Sequence, residues 1–93
     1  MLNMEQEKAL KKLIDIERGL PTGVSLTFAV DNLVENMEKS EYHVLLKSIN
    51  TLIAEEYLAK HTEKQTKNKI PFWLEITKRG REYSRLNKLV TNM

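Results

Sequence analysis

The spacing of apolar positions divides the chain into helical stretches and one stretch that alternates. Leu10, Leu13 and Ile14, with Lys8, Lys11, Lys12, Asp15 and Glu17 on the other faces, fall at the i, i+3, i+4 separations of an amphipathic helix and predict one over about 4–18. Gly19 ends it. GLPTGV over 19–24 is turn chemistry, because Gly19 and Gly23 tolerate positive φ and Pro21 cannot extend a helix. Val24 to Leu26 then reads as a short strand. Thr27 is placed to cap a second helix over 27–37, in which Val30, Leu33, Val34 and Met37 share one face. EKS over 38–40 makes a tight connection, and Ser40 offers a hydroxyl cap to a third helix over 41–56 that turns Leu45, Ile49, Leu52 and Ile53 inward.

From Tyr57 the period changes. YLAKH and IPFWLEI are β-prone, and Phe72, Leu74 and Ile76 alternate with Trp73 and Glu75 as in a half-buried strand. Two strands therefore flank HTEKQTKNK at 61–69, which becomes a hairpin tip, and Pro71 fits only where its strand is an edge. Thr77 caps a last helix over 78–91, with Tyr83, Leu86, Leu89 and Val90 on one side. No repeat or low-complexity tract interrupts the pattern. With 93 residues, 41% of them hydrophobic, the chain can build one modest core and not two, so residues 1–93 are expected to form a single domain.

Helix, short strand, helix, tight turn, helix, hairpin, helix is also the order of the winged helix-turn-helix module, an α+β fold with a three-helix core, a β-hairpin wing and here an additional C-terminal helix. VDNLVENMEKSEYHVLLKSINTLIAEEYL at 30–58 resembles the paired helices of that family, and WLEITKRGREYSRL at 73–86 resembles the strand-to-helix exit that closes its wing. With the first helix, the resemblance covers nearly the whole chain and is to small regulators of the MarR and PadR kind. It implies that 41–56 is a recognition helix, that 57–76 is the wing, and that the protein binds double-stranded DNA as a cytoplasmic transcriptional regulator. One departure stands out: the family often has Gly where the recognition helix gives way to the first wing strand, and this chain has Glu56.

Charge supports a polyanionic partner. The formal net charge is only +2, yet residues 1–59 hold six Lys/Arg against ten Asp/Glu, a net −4, while residues 60–93 hold nine against three, a net +6. Such segregation suits a polyphosphate, although a solvated basic surface has the same composition. Lys64, Lys67 and Lys69, backed by Lys60 and Asn68, would reach the phosphates beside a helix lying in a major groove about 12 Å wide. Lysines at a hairpin tip also discourage edge-to-edge pairing without any partner. On the recognition helix the outward set is Glu41, Tyr42, His43, Val44, Lys47, Ser48, Asn50 and Thr51. Asn50 suits adenine, Lys47 guanine or phosphate, and Val44 or Thr51 a thymine methyl, while Tyr42, His43 and Ser48 complete the contact face. No Arg, the commonest reader of guanine, is among them. Trp73, between Phe72 and Leu74, is expected to pack rather than to stack on bases.

The end helices carry more apolar surface than the core needs. Leu10, Leu13, Ile14, Tyr83, Leu86, Leu89 and Val90 are expected to form a homodimer interface, which would set two recognition helices one DNA turn, about 34 Å, apart. A monomer whose end helices cover the helix-turn-helix uses the same residues.

Other classes fit less well. With no Cys there is neither a disulfide nor a thiolate metal site, and His43 and His61 alone make a poor zinc site. No stretch reaches the roughly 18 apolar residues of a membrane helix, and MLNMEQEK lacks the layout of a secretory signal, so a cytoplasmic location is expected. No phosphate-cradling Gly-rich loop, metal cluster or nucleophile triad appears, so neither enzymatic activity nor a cofactor is expected. With aromatics at 6%, single-strand or RNA stacking platforms are scarce. The competing function is a winged-helix module that uses the same face to bind a protein.

Overall fold

The structure, a computed structural model, describes residues 2–61 and 73–87. Four helices and one antiparallel hairpin follow in the order α1 (Met4–Arg18), α2 (Leu26–Glu35), α3 (Lys39–Ala54), β1 (Leu58–His61), β2 (Trp73–Ile76) and α4 (Lys78–Leu86). The result is a small α+β arrangement in which the helices bury one shared apolar cluster and the hairpin closes its end.

α1 has the bounds its periodicity predicts. A capping box starts it: the Asn3 side chain accepts from the Gln6 amide at 2.8 Å and the Gln6 side chain accepts from the Asn3 amide at 3.0 Å. Its buried stripe of Ala9, Leu10, Leu13 and Ile14 packs with Val30 and Val34 of α2, Leu45, Ile49 and Leu52 of α3, and Leu58, Leu74 and Ile76 of the hairpin. Each Leu, Ile or Val of this set contributes about 1.5–3 kcal/mol on burial. α1 is therefore the floor of the domain, and Leu10, Leu13 and Ile14 belong to its own core rather than to a surface for a second copy.

Five local expectations fail. No strand forms at Val24 to Leu26; Ser25 instead caps α2, its hydroxyl accepting from the Phe28 amide at 3.1 Å, so Leu26 opens the helix. Thr27, expected as that cap, lies one turn position inside α2, fully buried, and its hydroxyl accepts from the Leu74 amide of β2 at 2.9 Å. α2 also stops at Glu35, leaving Met37 beyond the helix but packed on the core. Ser40 does not cap α3, which begins at Lys39 behind Glu38 with no side-chain cap and ends at Ala54 rather than at Glu56.

The end of α3 is a Schellman turn. The Tyr57 amide donates to Leu52 at 2.8 Å and the Glu56 amide to Ile53 at 3.0 Å, the two reversed bonds of that motif. It requires a left-handed residue, and Glu56 supplies it with φ 66°. Glu56 thus holds a conformation that glycine adopts at lower cost. Thr77, the cap of α4 as expected, locks the turn: its hydroxyl is shared between the carbonyls of Glu56 at 2.7 Å and Tyr57 at 3.0 Å and accepts from the Gly80 amide at 3.0 Å. A Cβ on Gly80 would lie 2.3 Å from the Tyr57 carbonyl oxygen, so the backbones meet only because this residue has no side chain.

Tertiary ties hold α4 against α1. The Tyr83 hydroxyl donates to Glu7 at 2.6 Å and Arg81 pairs with Glu17 at 2.7 Å. Burial, reinforced by the bond to Glu7, pushes the Tyr83 phenol above its ordinary value. The folded chain therefore holds that proton more tightly than the unfolded one, and the tie is fully present below about pH 10 and lost as pH rises beyond it.

Gly80→Ala is expected to destabilise the fold by about 3 kcal/mol, because the new methyl meets backbone that cannot move alone; thermal unfolding should show a melting temperature lower by more than about 10 °C. Glu56→Gly should do the opposite. Relief of about 1–2 kcal/mol of left-handed strain, less about 0.5–1 for glycine's entropy, raises the melting temperature by a few degrees, and a fall would contradict the assignment of this turn.

Candidate nucleic-acid interface

α3 presents one uncovered face. His43, Lys47 and Asn50, spaced four and three apart, fall on a single line opposite the buried Leu45, Ile49 and Leu52, and all three are exposed. Val44 borders the line with 49% of its surface exposed. Thr51 is half-buried, and its hydroxyl donates back to the Lys47 carbonyl at 3.2 Å, which leaves its methyl as the group a ligand could touch.

Two members of the expected contact face are placed differently. Ser48 is only 5% exposed. It follows Leu45 by three residues and precedes Leu52 by four, so the helix carries it into the contact with α1. Tyr42 is half-buried and packs against the core, its ring centroid 5.8 Å from that of His43. It supports the exposed face more than it belongs to it.

α1 runs along the Val44 side of α3, and a groove of about 640 Å³ lies between the two helices. Ala9, Leu45 and Ser48 are among its lining; Lys8 and Lys12 stand on the α1 bank and Glu41 and Val44 on the α3 bank. Lys8 and Lys12 were legible in the sequence only as the solvent side of an amphipathic helix. Nothing in their spacing says that α3 lies alongside. Glu5 and Glu41 share the groove, so its charge is mixed.

The hairpin leaves α3 directly through the Schellman turn. Lys60 is exposed on β1, opposite Leu74 in the register, and His61 lies 3.2 Å from Glu75 across the strands. Lys64, Lys67, Asn68 and Lys69 lie outside the described residues. So do Leu89 and Val90. Of the other residues expected at a dimer interface, Leu10, Leu13 and Ile14 are buried, Tyr83 is half-buried on Glu7, and Leu86 alone is broadly open at 72%.

The basic helix α4 spends much of its charge internally. Arg81 pairs with Glu17, Lys78 lies 4.0 Å from Glu82, and Arg79 sits 4.7 Å above the Tyr57 ring while donating to its hydroxyl at 3.4 Å. That hydrogen bond to Tyr57 raises the already high Arg79 pKa further. Among the described residues no three His, Asp or Glu side chains gather as a metal site, and no helix is long and apolar enough to cross a membrane.

Because His43, Lys47 and Asn50 make no core contact, replacing each with Ala should shift stability by less than about 0.5 kcal/mol, whereas Ser48→Lys should cost more than about 2 kcal/mol by forcing a charge against α1. Denaturant titration of the four variants checks the division between exposed face and core. Protein-family models, curated proteins and solved structures were compared with the chain, and none of them matches it.

Proposed function

We propose that the chain is a sequence-specific double-stranded DNA-binding protein of winged helix-turn-helix type, a small transcriptional regulator with α3 in the major groove and the hairpin on the flanking phosphates. The observation that carries this reading is the line of His43, Lys47 and Asn50 on a helix that hands directly into a hairpin bearing Lys60. An α-helix fits a groove about 12 Å wide, an Asn can pair bidentately with adenine, and cations beside it set orientation without reading sequence. Lys8 and Lys12 add a second cationic bank next to α3. No catalytic step and no cofactor form part of this reading.

A homodimer would place two such helices on a pseudo-palindrome. With Leu10, Leu13 and Ile14 committed to the core, the dimer proposal narrows to the end of α4, around Leu86. A second reading, a protein-binding module, draws on the same groove, where exposed Val44 and the carboxylates of Glu5 and Glu41 suit a peptide better than a phosphate. Retention of a partner by immobilised protein with and without nuclease separates the two.

Selection from a random duplex pool by gel shift, with sequencing of the retained DNA, should recover a defined site. Contact with about six phosphates gives a log–log salt slope near −5, and absent or salt-insensitive binding rejects the proposal. Replacing Lys64, Lys67 and Lys69 together with Ala should weaken all duplexes alike and flatten the slope by up to about three. Asn50→Ala should instead relax discrimination at one position of the site, by about 1–3 kcal/mol.

A further inference from the structure

Two strands of four residues share few ladder hydrogen bonds, and an isolated hairpin is marginal in water. Here the root is fixed where Thr77 and Gly80 close on Tyr57. Burial of Leu58, Leu74 and Ile76 seats the strands on the core, but apolar packing is non-directional and fixes their angle weakly. The second tie lies three residues back along β2, where the Leu74 amide donates to the Thr27 hydroxyl across 47 residues of sequence. In an antiparallel pair a residue points its amide either at its partner strand or away from it. The Leu74 amide points at α2, so β2 presents an edge there, and the Thr27 hydroxyl stands where the carbonyl of a third strand would be.

We infer that Thr27 is a positioning residue for a phosphate contact made by Lys60: its buried hydroxyl sets the angle of the hairpin against α2 and so against α3, which begins four residues after α2 ends. This inference rests on the duplex-binding reading above. Lys60 is the register partner of Leu74, and residues directly opposite in an antiparallel pair share a sheet face. Its place relative to α3 therefore depends on the bond that Leu74 makes. Thr27 meets both requirements of the position, since its methyl fills core space while its oxygen accepts. Thr27→Val keeps the shape and leaves the Leu74 amide buried without an acceptor; Thr27→Ser keeps the acceptor and loses only the methyl.

The test is a double-mutant cycle read as duplex affinity and salt slope, on DNA selected with the wild-type chain and at a temperature where every variant is folded. Lys60→Ala should flatten the slope by about one. Thr27→Val should flatten it by about the same and weaken binding roughly two- to tenfold, Thr27→Ser should bind like wild type, and Lys60→Ala should add nothing in the Thr27→Val background. Effects that multiply, a Thr27→Ser variant as weak as Thr27→Val, or an unchanged slope for Lys60→Ala would overturn the inference while leaving duplex binding intact. If Thr27→Val does not fold, the coupling is read in reverse on the wild-type chain. Duplex should then slow exchange of the Leu74 amide several-fold, and Lys60→Ala should abolish that gain, because coupling between two contacts is reciprocal; no slowing overturns the inference. Failure of the wild-type chain to bind any duplex rejects the proposed function, and this inference with it.

Discussion

The backbone carbonyl of Tyr57 orients everything that follows α3. A carbonyl enclosed at a junction of elements needs donors, and both of its donors, an amide at 3.3 Å and a hydroxyl at 3.0 Å, come from Thr77, the residue that caps α4. The Tyr57 amide is tied back to Leu52, and its ring meets Tyr83 edge-on with centroids 5.0 Å apart beneath the Arg79 guanidinium. One residue thus joins the last turn of α3, the first strand and the start of α4. The arrangement needs a left-handed turn at Glu56, which is a local condition, and no side chain at Gly80, which is set by the Tyr57 backbone 23 residues away.

That junction changes what the cationic C-terminal third of the chain can do. Counted along the sequence, residues 60–93 carry a net charge of +6. In the fold, Arg79 lies on Tyr57, Arg81 on Glu17 and Lys78 near Glu82. Exposed pairs of this kind are worth little in stability, yet they direct the side chains along the protein surface. Other cations come from separate segments: Lys8 and Lys12 of α1 line the groove beside α3, Lys47 is exposed on α3 itself, and Lys60 is exposed on β1. A charge count by sequence position cannot find such a set, because it is defined by which helix lies beside which.

The four helices and the hairpin, the limits of α1, the Thr77 cap and the inward apolar positions of α3 and β2 were legible in the sequence, whereas the short strand expected at 24–26 was not there. They depend on period and on side chains acting within one turn, which are local and strong signals. Errors arose where two residues compete for one local role. Ser25 and Thr27 can each cap a helix, and the choice falls to Ser25 because β2 offers the Thr27 hydroxyl a buried amide from 47 residues away. Ser48 looked polar and outward, but its angular position, between Leu45 and Leu52, turns it toward α1.

By itself the sequence determined four helices, a hairpin, one core and the residue types that could meet a polyanion, because apolar period and turn chemistry act over a few residues. Only the tertiary structure decided that Leu10, Leu13 and Ile14 are core and not interface, that Lys8 and Lys12 flank α3, and that Gly80 is the point of closest approach. Those outcomes follow from which surfaces meet, and meeting is settled by packing between segments whose spacing along the chain carries no trace of it.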